Sequence, residues 1–310
     1  KGYIFFALKG NKSNGEKYIK QAIRNGAVII ICSKTCKFQN RKAHIIRTKK
    51  VRNLLSEITS KFYKLKPKNI IAVTGTNGKT SVADFFYQIL LTNNIPVASI
   101  GTLGIKYNKR SIETKLTSPD IITLHKNLEK LKKNKIENVI IEASSHGLIQ
   151  NRLDGLNLKA GIFTNFSQDH LDYHKTMKNY LRAKLILFSK LLTRKSYVIS
   201  DKLIKEYSIL KKISKNRQLR LLDVNKVFRD LKDISLSLTG SFQIKNLSMA
   251  ILASRLCNLK NSQINKAIKK IRNVNGRLEL IKKYPNKVKV FIDYAHTPEA
   301  LHEAIKALKD

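Results

Sequence analysis

The run Ile70-Ile-Ala-Val-Thr-Gly-Thr-Asn-Gly-Lys-Thr80 constrains this chain more than any other stretch. Residues 70–73 are apolar and read as a buried strand. Gly75 and Gly78 then allow a tight turn, and residues 81–91 carry helical periodicity. A strand that turns through glycines straight into a helix is the geometry of a phosphate loop. Its backbone N–H groups wrap phosphate oxygens, and the helix N-terminus adds positive potential. Lys79 is placed to reach the β- and γ-phosphates of a nucleotide, and the Thr80 hydroxyl to hold Mg²⁺. Gly75, Thr76, Asn77, Gly78 and Ser81 complete the expected nucleotide contact. The strict G-x-x-x-x-G-K-[ST] pattern is not met, because Val73 stands where its first glycine belongs.

The surrounding pattern supports an α/β fold. Residues 3–8 and 27–31 read as strands, 16–25 and 51–65 as helices, and Pro67 marks a linker. Beyond it, strand candidates at 70–73, 97–100, 139–142, 161–164 and 197–200 alternate with helical patterns at 121–133, 177–192 and 245–258. Such alternation predicts a mostly parallel sheet with helices on both faces. A further strand at 288–292 and a helix at 298–308 read as the opening of another unit. The expected division is a small N-terminal α/β domain at 1–67, a central ATP-binding domain at 68–276, and the start of a truncated C-terminal α/β domain at 277–310. The chain opens without Met, inside a strand pattern, and is expected to be a fragment of a longer protein.

Charge and composition narrow the function. There are 61 Lys and Arg against 21 Asp and Glu, a net charge of +40. An excess of this size raises nucleic acid as a partner. The lysines, however, are spread along the whole chain with abundant Asn and Ile, the pattern of an AT-rich genome. A binding patch would cluster. Specific nucleic-acid binding is therefore not expected, whereas small anionic substrates are favoured by the field. No apolar run approaches the ~20 residues of a membrane span. Three cysteines, Cys32, Cys36 and Cys257, cannot make a disulfide framework, and no secretory signal opens the chain. The expected setting is a reducing cytoplasm, with the cysteines packed as small apolar residues.

Two polar stretches follow strands. Glu142-Ala-Ser-Ser-His-Gly147 ends one, and Thr164-Asn-Phe-Ser-Gln-Asp-His-Leu-Asp-Tyr-His174 ends another. In an open parallel sheet both lie at the carboxyl ends of strands, beside the phosphate loop. Glu142 and His170 can then reach Mg²⁺ near the γ-phosphate, where phosphoryl transfer needs cations. A zinc pair at His170 and His174 is the rival, but no H-E-x-x-H arrangement accompanies it. Ser144 and Ser145 beside His146 lack the G-x-S-x-G turn of a hydrolase.

Together these runs resemble the Mur ligase family, the ATP-dependent amide-forming enzymes of peptidoglycan synthesis. The resemblance rests on five ordered motifs. They are Val73 to Thr80, Glu142-Ala-Ser-Ser-His-Gly-Leu-Ile-Gln-Asn-Arg152, Asp169-His-Leu-Asp-Tyr-His174 with Ala183-Lys184 and Leu187-Phe188, Gly276-Arg277-Leu-Glu279, and Asp293-Tyr-Ala-His-Thr-Pro298. It is nearest to the branch that adds the third amino acid of the stem peptide to UDP-N-acetylmuramoyl-L-alanyl-D-glutamate.

The resemblance implies roles. Lys79 would bind the ATP phosphates. Thr80 and Glu142 would hold one Mg²⁺, and His170 a second with Lys184, which in this family carries a CO₂-derived carbamate. Asn246, Asp293, Arg277 and His296 would contact the nucleotide. Thr117, Ser118, Ser144, Gln150, Arg152 and, in the loop Gly10 to Gly15, Asn11 would hold the UDP-sugar dipeptide. The γ-phosphoryl would pass to the D-glutamate γ-carboxylate, and the amine of an incoming amino acid would attack the acyl phosphate. The amino acid is meso-diaminopimelate or L-lysine, with the first favoured. The enzyme is expected to be a monomer, and the fragment alone to be inactive. Two alternatives are a folylpolyglutamate-synthase-like ligase and a non-catalytic, degenerate UDP-sugar binder.

Overall fold

The computed structural model describes residues 2–10, 13–114, 116–232, 238–286 and 288–309. The chain forms two compact units, Lys1–Tyr63 and Lys64–Asp310. The first contains β1 (Tyr3–Phe6), α1 (Ile19–Arg24), β2 (Ala27–Ser33), β3 (His44–Thr48) and α2 (Val51–Phe62). Its described strands form a parallel sheet in the order β1-β2-β3. Ile19, Ile30, Cys32 and Cys36 meet in its core, so two of the cysteines pack as apolar groups. The helix expected at 16–25 is a 3₁₀ turn at Gly15–Tyr18 leading into α1.

The second unit starts with β4 (Asn69–Thr74) and α3 (Lys79–Thr92). There follow β5 (Val97–Gly101), β6 (Gly104–Tyr107), β7 (Arg110–Ile112), α4 (Ile121–Lys133), β8 (Asn138–Glu142), α5 (Ser145–Ile149) and β9 (Leu158–Phe163). Next come α6 (Leu171–His174), α7 (Met177–Ile186), β10 (Tyr197–Ser200), α8 (Tyr207–Arg217), β11 (Arg220–Asp223) and α9 (Asn225–Lys232). The unit closes with α10 (Ser241–Leu256), α11 (Asn261–Ile268), β12 (Glu279–Lys283), β13 (Lys289–Ile292) and α12 (Pro298–Lys309). The main sheet runs β11-β10-β9-β4-β8-β5-β6-β7 among the described residues. It is parallel from β11 to β5, with β6 and β7 added antiparallel at one edge.

Every residue of β4 and β8 is buried, as a strand covered by helices on both faces requires. On one face, Val82, Phe85, Phe86 and Ile89 of α3 join Leu247 and Ile251 of α10. On the other, Leu124 and Leu128 of α4 join Leu187, Phe188 and Leu210. Phe85, Phe86 and Phe188 are fully buried, and each contributes about 1.5–3 kcal/mol by leaving water. The helix expected over 177–192 ends earlier: α7 stops at Ile186 and a wider π turn, Leu187–Leu191, follows. This places Leu187 and Phe188 into the core beneath Gly161.

The sheet order fixes where a site can form. From β4 the chain crosses to β5 and β8 on one side, then to β9 and β10 on the other. The direction reverses at β4, and a crevice opens outside the carboxyl ends of β4, β8 and β9.

Candidate active site

The turn after β4 fills that crevice. Gly78 has φ +83, and a Cβ there would lie 2.5 Å from Asn246 Oδ1. Only glycine combines that backbone with that neighbour. Lys79 opens α3 and curls back over the loop, its Nζ donating to the carbonyls of Gly75 (3.0 Å) and Thr76 (2.7 Å). Burial lowers the pKa of Lys79, opposed by the charges of Glu142 and Asp169. The loop is tied to the segment after β9. Asn77 N donates to Asn165 Oδ1 at 2.9 Å, Thr164 Oγ1 to Asn77 O at 2.6 Å, and Ser167 N to Thr76 Oγ1 at 3.0 Å.

Glu142 ends β8, with only 2 % of its surface exposed. Its carboxylate accepts from Thr80 Oγ1 (3.0 Å), Thr102 N (2.9 Å) and Thr102 Oγ1 (3.1 Å). Arg277 Nη2 donates to the Thr80 hydroxyl at 3.2 Å. Burial raises the Glu142 pKa, and the Lys79 charge is the main opposing influence. Gly101 makes room for this group: a Cβ there would lie 2.0 Å from Glu142 Oε1. A carboxylate and a hydroxyl 3.0 Å apart, beside a phosphate loop, form a hard oxygen donor set. Mg²⁺ takes one or two protein oxygens of this kind and completes its shell with phosphate and water, so the residues fit the ion.

Lys184, on α7, is the buried lysine of the site, with 1 % exposed. Its Nζ donates to Gly75 O at 2.6 Å and sits 4.2 Å from the centroid of the Tyr180 ring. Burial, and then the nearby Lys79 charge, push its pKa well below the ordinary lysine value. His170 Nε2 lies 3.4 Å from Asp169 Oδ2, and His296 Nε2 lies 3.8 Å from the same oxygen. The His170 ring is packed edge-on against His146 at 5.0 Å. His174 is buried, with its Nε2 2.9 Å from Ser145 Oγ. Its ring lies beside that of His146, with centroids 5.4 Å apart.

Most residues singled out from the sequence line one cavity of about 290 Å³. They are Thr76, Asn77, Gly78, Lys79, Thr80 and Ser81 of the loop, with Thr117, Glu142, Ser144, His170, Lys184, Asn246, Arg277, Asp293 and His296. Others stand behind the wall. Gly75 presents its carbonyl to Lys79 and Lys184. Ser118 is fully buried, its Oγ donating to Glu142 O at 2.7 Å and lying 3.0 Å from Ser144 Oγ. Arg152 donates to Ser118 O (2.6 Å) and Gln150 Oε1 (2.7 Å), so these three brace the loop under Ser144. Asn11 lies outside the described residues. Sequence reasoning missed Thr102, Asp169 and Tyr180 as working parts of the site, and the cavity wall formed by Phe242, Glu299 and Glu303. Asp169 stood inside a quoted motif; nothing local marked the others.

Comparison with known proteins agrees with this arrangement. The model of the Mur ligase middle domain matches residues 73–254, and that of the Mur ligase family catalytic domain matches residues 1–63. The UDP-N-acetylmuramoyl-L-alanyl-D-glutamate–2,6-diaminopimelate ligase of Zymomonas mobilis is 38 % identical, over 100 % of this chain and 68 % of its own. A solved structure of a ligase of the same name has a TM-score of 0.81 at 27 % identity, covering 99 % of this chain and 67 % of that one. A Mycobacterium tuberculosis folylpolyglutamate synthase, with TM-score 0.64 and 15 % identity over 83 % of this chain and 70 % of its own, shares the fold alone. With more than half its length matched by the middle-domain model and relatives above 30 % identity end to end, the chain belongs to the Mur ligase family.

Proposed function

We propose that the chain carries the ATP-binding and phosphoryl-transfer machinery of a ligase that adds 2,6-diaminopimelate, in its meso form, to UDP-N-acetylmuramoyl-L-alanyl-D-glutamate. The observation that carries this reading is the meeting of Lys79, the Thr80–Glu142 oxygen pair and the buried Lys184 at one phosphate loop. The diaminopimelate assignment follows the name of a relative that matches the whole of this chain and 68 % of its own length. In this reading residues 1–67 serve the uridine side, 68–276 the nucleotide, and 277–310 open the amino-acid side.

The reaction joins two anions, a carboxylate and a triphosphate, so positioning and charge screening dominate. Lys79 exchanges its hydrogen bonds to Gly75 and Thr76 carbonyls for phosphate oxygens. The loop N–H groups and the start of α3 hold the phosphates in line. Arg277 stands over Thr80, ready to screen the negative charge that builds there. Thr80 and Glu142 would hold Mg²⁺, which supplies neutralisation of the transferred phosphoryl group. Thr102 fixes the Glu142 carboxylate in the orientation this needs. Lys184, whose burial favours the neutral amine, is suited to carry a CO₂-derived carbamate, which supplies an anionic oxygen ligand beside His170. Thr117 and Ser144 face the cavity where the acyl acceptor would lie.

The test is phosphate release from ATP by the product of the complete reading frame, with Mg²⁺ and bicarbonate. Release that needs both the UDP-sugar dipeptide and meso-diaminopimelate is expected. Release with L-lysine instead would move the amino-acid assignment, and release with a folate and L-glutamate would overturn the reading.

A further inference from the structure

The segment that brings Arg277 to the phosphate loop runs as turns and irregular chain. Residues 269–278 join α11 to β12, and Arg277 lies near their far end. Its guanidinium donates to Thr80 Oγ1 at 3.2 Å and to Gly276 O at 3.0 Å, and lies 4.7 Å from the centroid of the Tyr294 ring. Ile271 and Val274 of this connector are buried in the core that α3 helps to form. Apolar burial is non-directional, so it sets the depth of the connector but not its alignment; directional hydrogen bonds do that. Two glutamines supply them. Gln243 of α10 donates from Nε2 to Arg277 O at 3.2 Å. Gln88 of α3 takes both backbone groups of Arg272: its Oε1 accepts from Arg272 N at 2.9 Å, and its Nε2 donates to Arg272 O at 3.2 Å.

The Gln88 amide is itself held in one orientation. Its Nε2 also donates to Asp84 Oδ2, one turn back on α3, at 2.7 Å. Asp84 is buried, and its Oδ1 pairs with Lys106 of β6 at 2.6 Å. Turning the amide over would set its oxygen against that carboxylate and its N–H₂ against the Arg272 N–H. Asp84 thus selects the one orientation that grips the connector. Thr80 and Gln88 stand on the same helix, eight residues or about 12 Å apart along its axis. One rigid element therefore carries both the hydroxyl that Arg277 reaches and the grip that places Arg277. Gln88 lies outside the lining of the cavity, so it can act there only through what it holds.

We propose that Gln88 is a positioning residue for phosphoryl transfer: its amide clamps the connector at Arg272 and so keeps the Arg277 guanidinium over Thr80. This rests on the ligase reading given above. Two measurements on the product of the complete reading frame test it. The first is amide hydrogen exchange over residues 270–278 without substrates. Gln88→Leu keeps a side chain of similar size and removes both hydrogen bonds, so exchange at Arg272 should quicken at least tenfold. The second is phosphate release by Gln88→Leu, Arg277→Ala and the two together. Gln88→Leu should lower kcat roughly tenfold or more and leave the KM for ATP within about twofold, because the misplaced group acts on charge that builds during transfer. In the Arg277→Ala background the same change should cost less than about twofold, because the group it positions is already gone. Losses that multiply in the double variant would mean that Gln88 serves general stability, and overturn the inference. Unchanged exchange at Arg272 does so too, as does a normal kcat in Gln88→Leu. No phosphate release by the unaltered enzyme with any substrate pair overturns the ligase reading, and this inference with it.

Discussion

Gly101 and Glu142 show how one missing side chain sets a buried carboxylate at the phosphate loop. The Glu142 carboxylate occupies the space where a Cβ on Gly101 would lie, 2.0 Å from Oε1. Gly101 closes β5, paired with Gly104 of β6, and Ile100 before it pairs with Ile141 of β8, which resists a shift of the strand to make room. Gly101→Ala should therefore push the carboxylate off Thr80 and Thr102. We expect a loss of about 100-fold in turnover of the complete enzyme, the size that an ångström of misplacement costs, and about 1–3 kcal/mol of stability from overpacking. The added substitution Glu142→Ala should return much of the stability and none of the activity. Urea unfolding and phosphate release on the two variants check this; a Gly101→Ala enzyme of normal rate, or a double variant no more stable than the single, would refute it. The sequence alone marked Glu142, because a carboxylate after a buried strand is visible in a string of letters. It did not mark Gly101 or Thr102. Their importance lies in a contact between β5 and β8, and nothing local announces it. Tyr180 was hidden for the same reason: a tyrosine inside a helix reads as packing, until Lys184 is found over its ring.

At the scale of elements, legibility followed burial. β4 and β8 were visible as apolar runs because both faces are covered, and α4 runs over the residues its periodicity predicts. β6 and β7 were not, since a short edge hairpin with Lys106 and Arg110 has no buried stripe to display. β11, α8 and α9 were missed for a related reason: lysines dilute their apolar faces, and their order comes from docking. Asp201, at the end of β10, shows the docking directly, pairing with Lys245 of α10 and accepting from Asn225 Nδ2 at 2.8 Å. α4 supplies a testable case of what docking costs. His125 is fully buried, with Nε2 3.0 Å from Asp154 O and no hydrogen-bond partner for Nδ1 among the described residues. Burial holds its pKa near about 4, against 6.5 for the ordinary ring. Between those two values the unfolded chain binds a proton that the folded chain refuses. Stability present above pH 6.5 is thus lost as pH falls toward 4, by up to about 3 kcal/mol from this residue. His125→Leu should be less stable at pH 7 by about 1–3 kcal/mol, since Asp154 O loses its donor, yet lose less on acidification. Urea titrations at pH 7, 6, 5 and 4.5 decide it. Curves for the two proteins that fall in parallel would remove His125 from the acid response.

Across the whole molecule, charge and site work on different ranges. All the residues lining the cavity at the phosphate loop belong to the unit Lys64–Asp310, yet the net charge of +40 is distributed over both units. No described helix is long and apolar enough to cross a membrane. Two readings of that field diverge under salt. If its effect is to gather small anions, the association rate of ATP should fall several-fold between 20 and 300 mM NaCl, because the Debye length shrinks from about 20 Å to below 10 Å. The dissociation rate should barely move, because it depends on the close contacts of Lys79, Arg277 and the loop. Stopped-flow mixing of the chain with ATP separates the two rates. Duplex DNA should also bind at low salt, without sequence preference, and weaken to micromolar or worse at 150 mM. DNA that stays tightly bound at 150 mM and favours one sequence would mean that the lysines form a reading surface after all. An ATP association rate indifferent to salt would mean that they do nothing for the site. Loss of both affinities with salt, one in its on-rate and one outright, is the pattern expected of a dispersed cationic surface around a cavity whose selectivity is local.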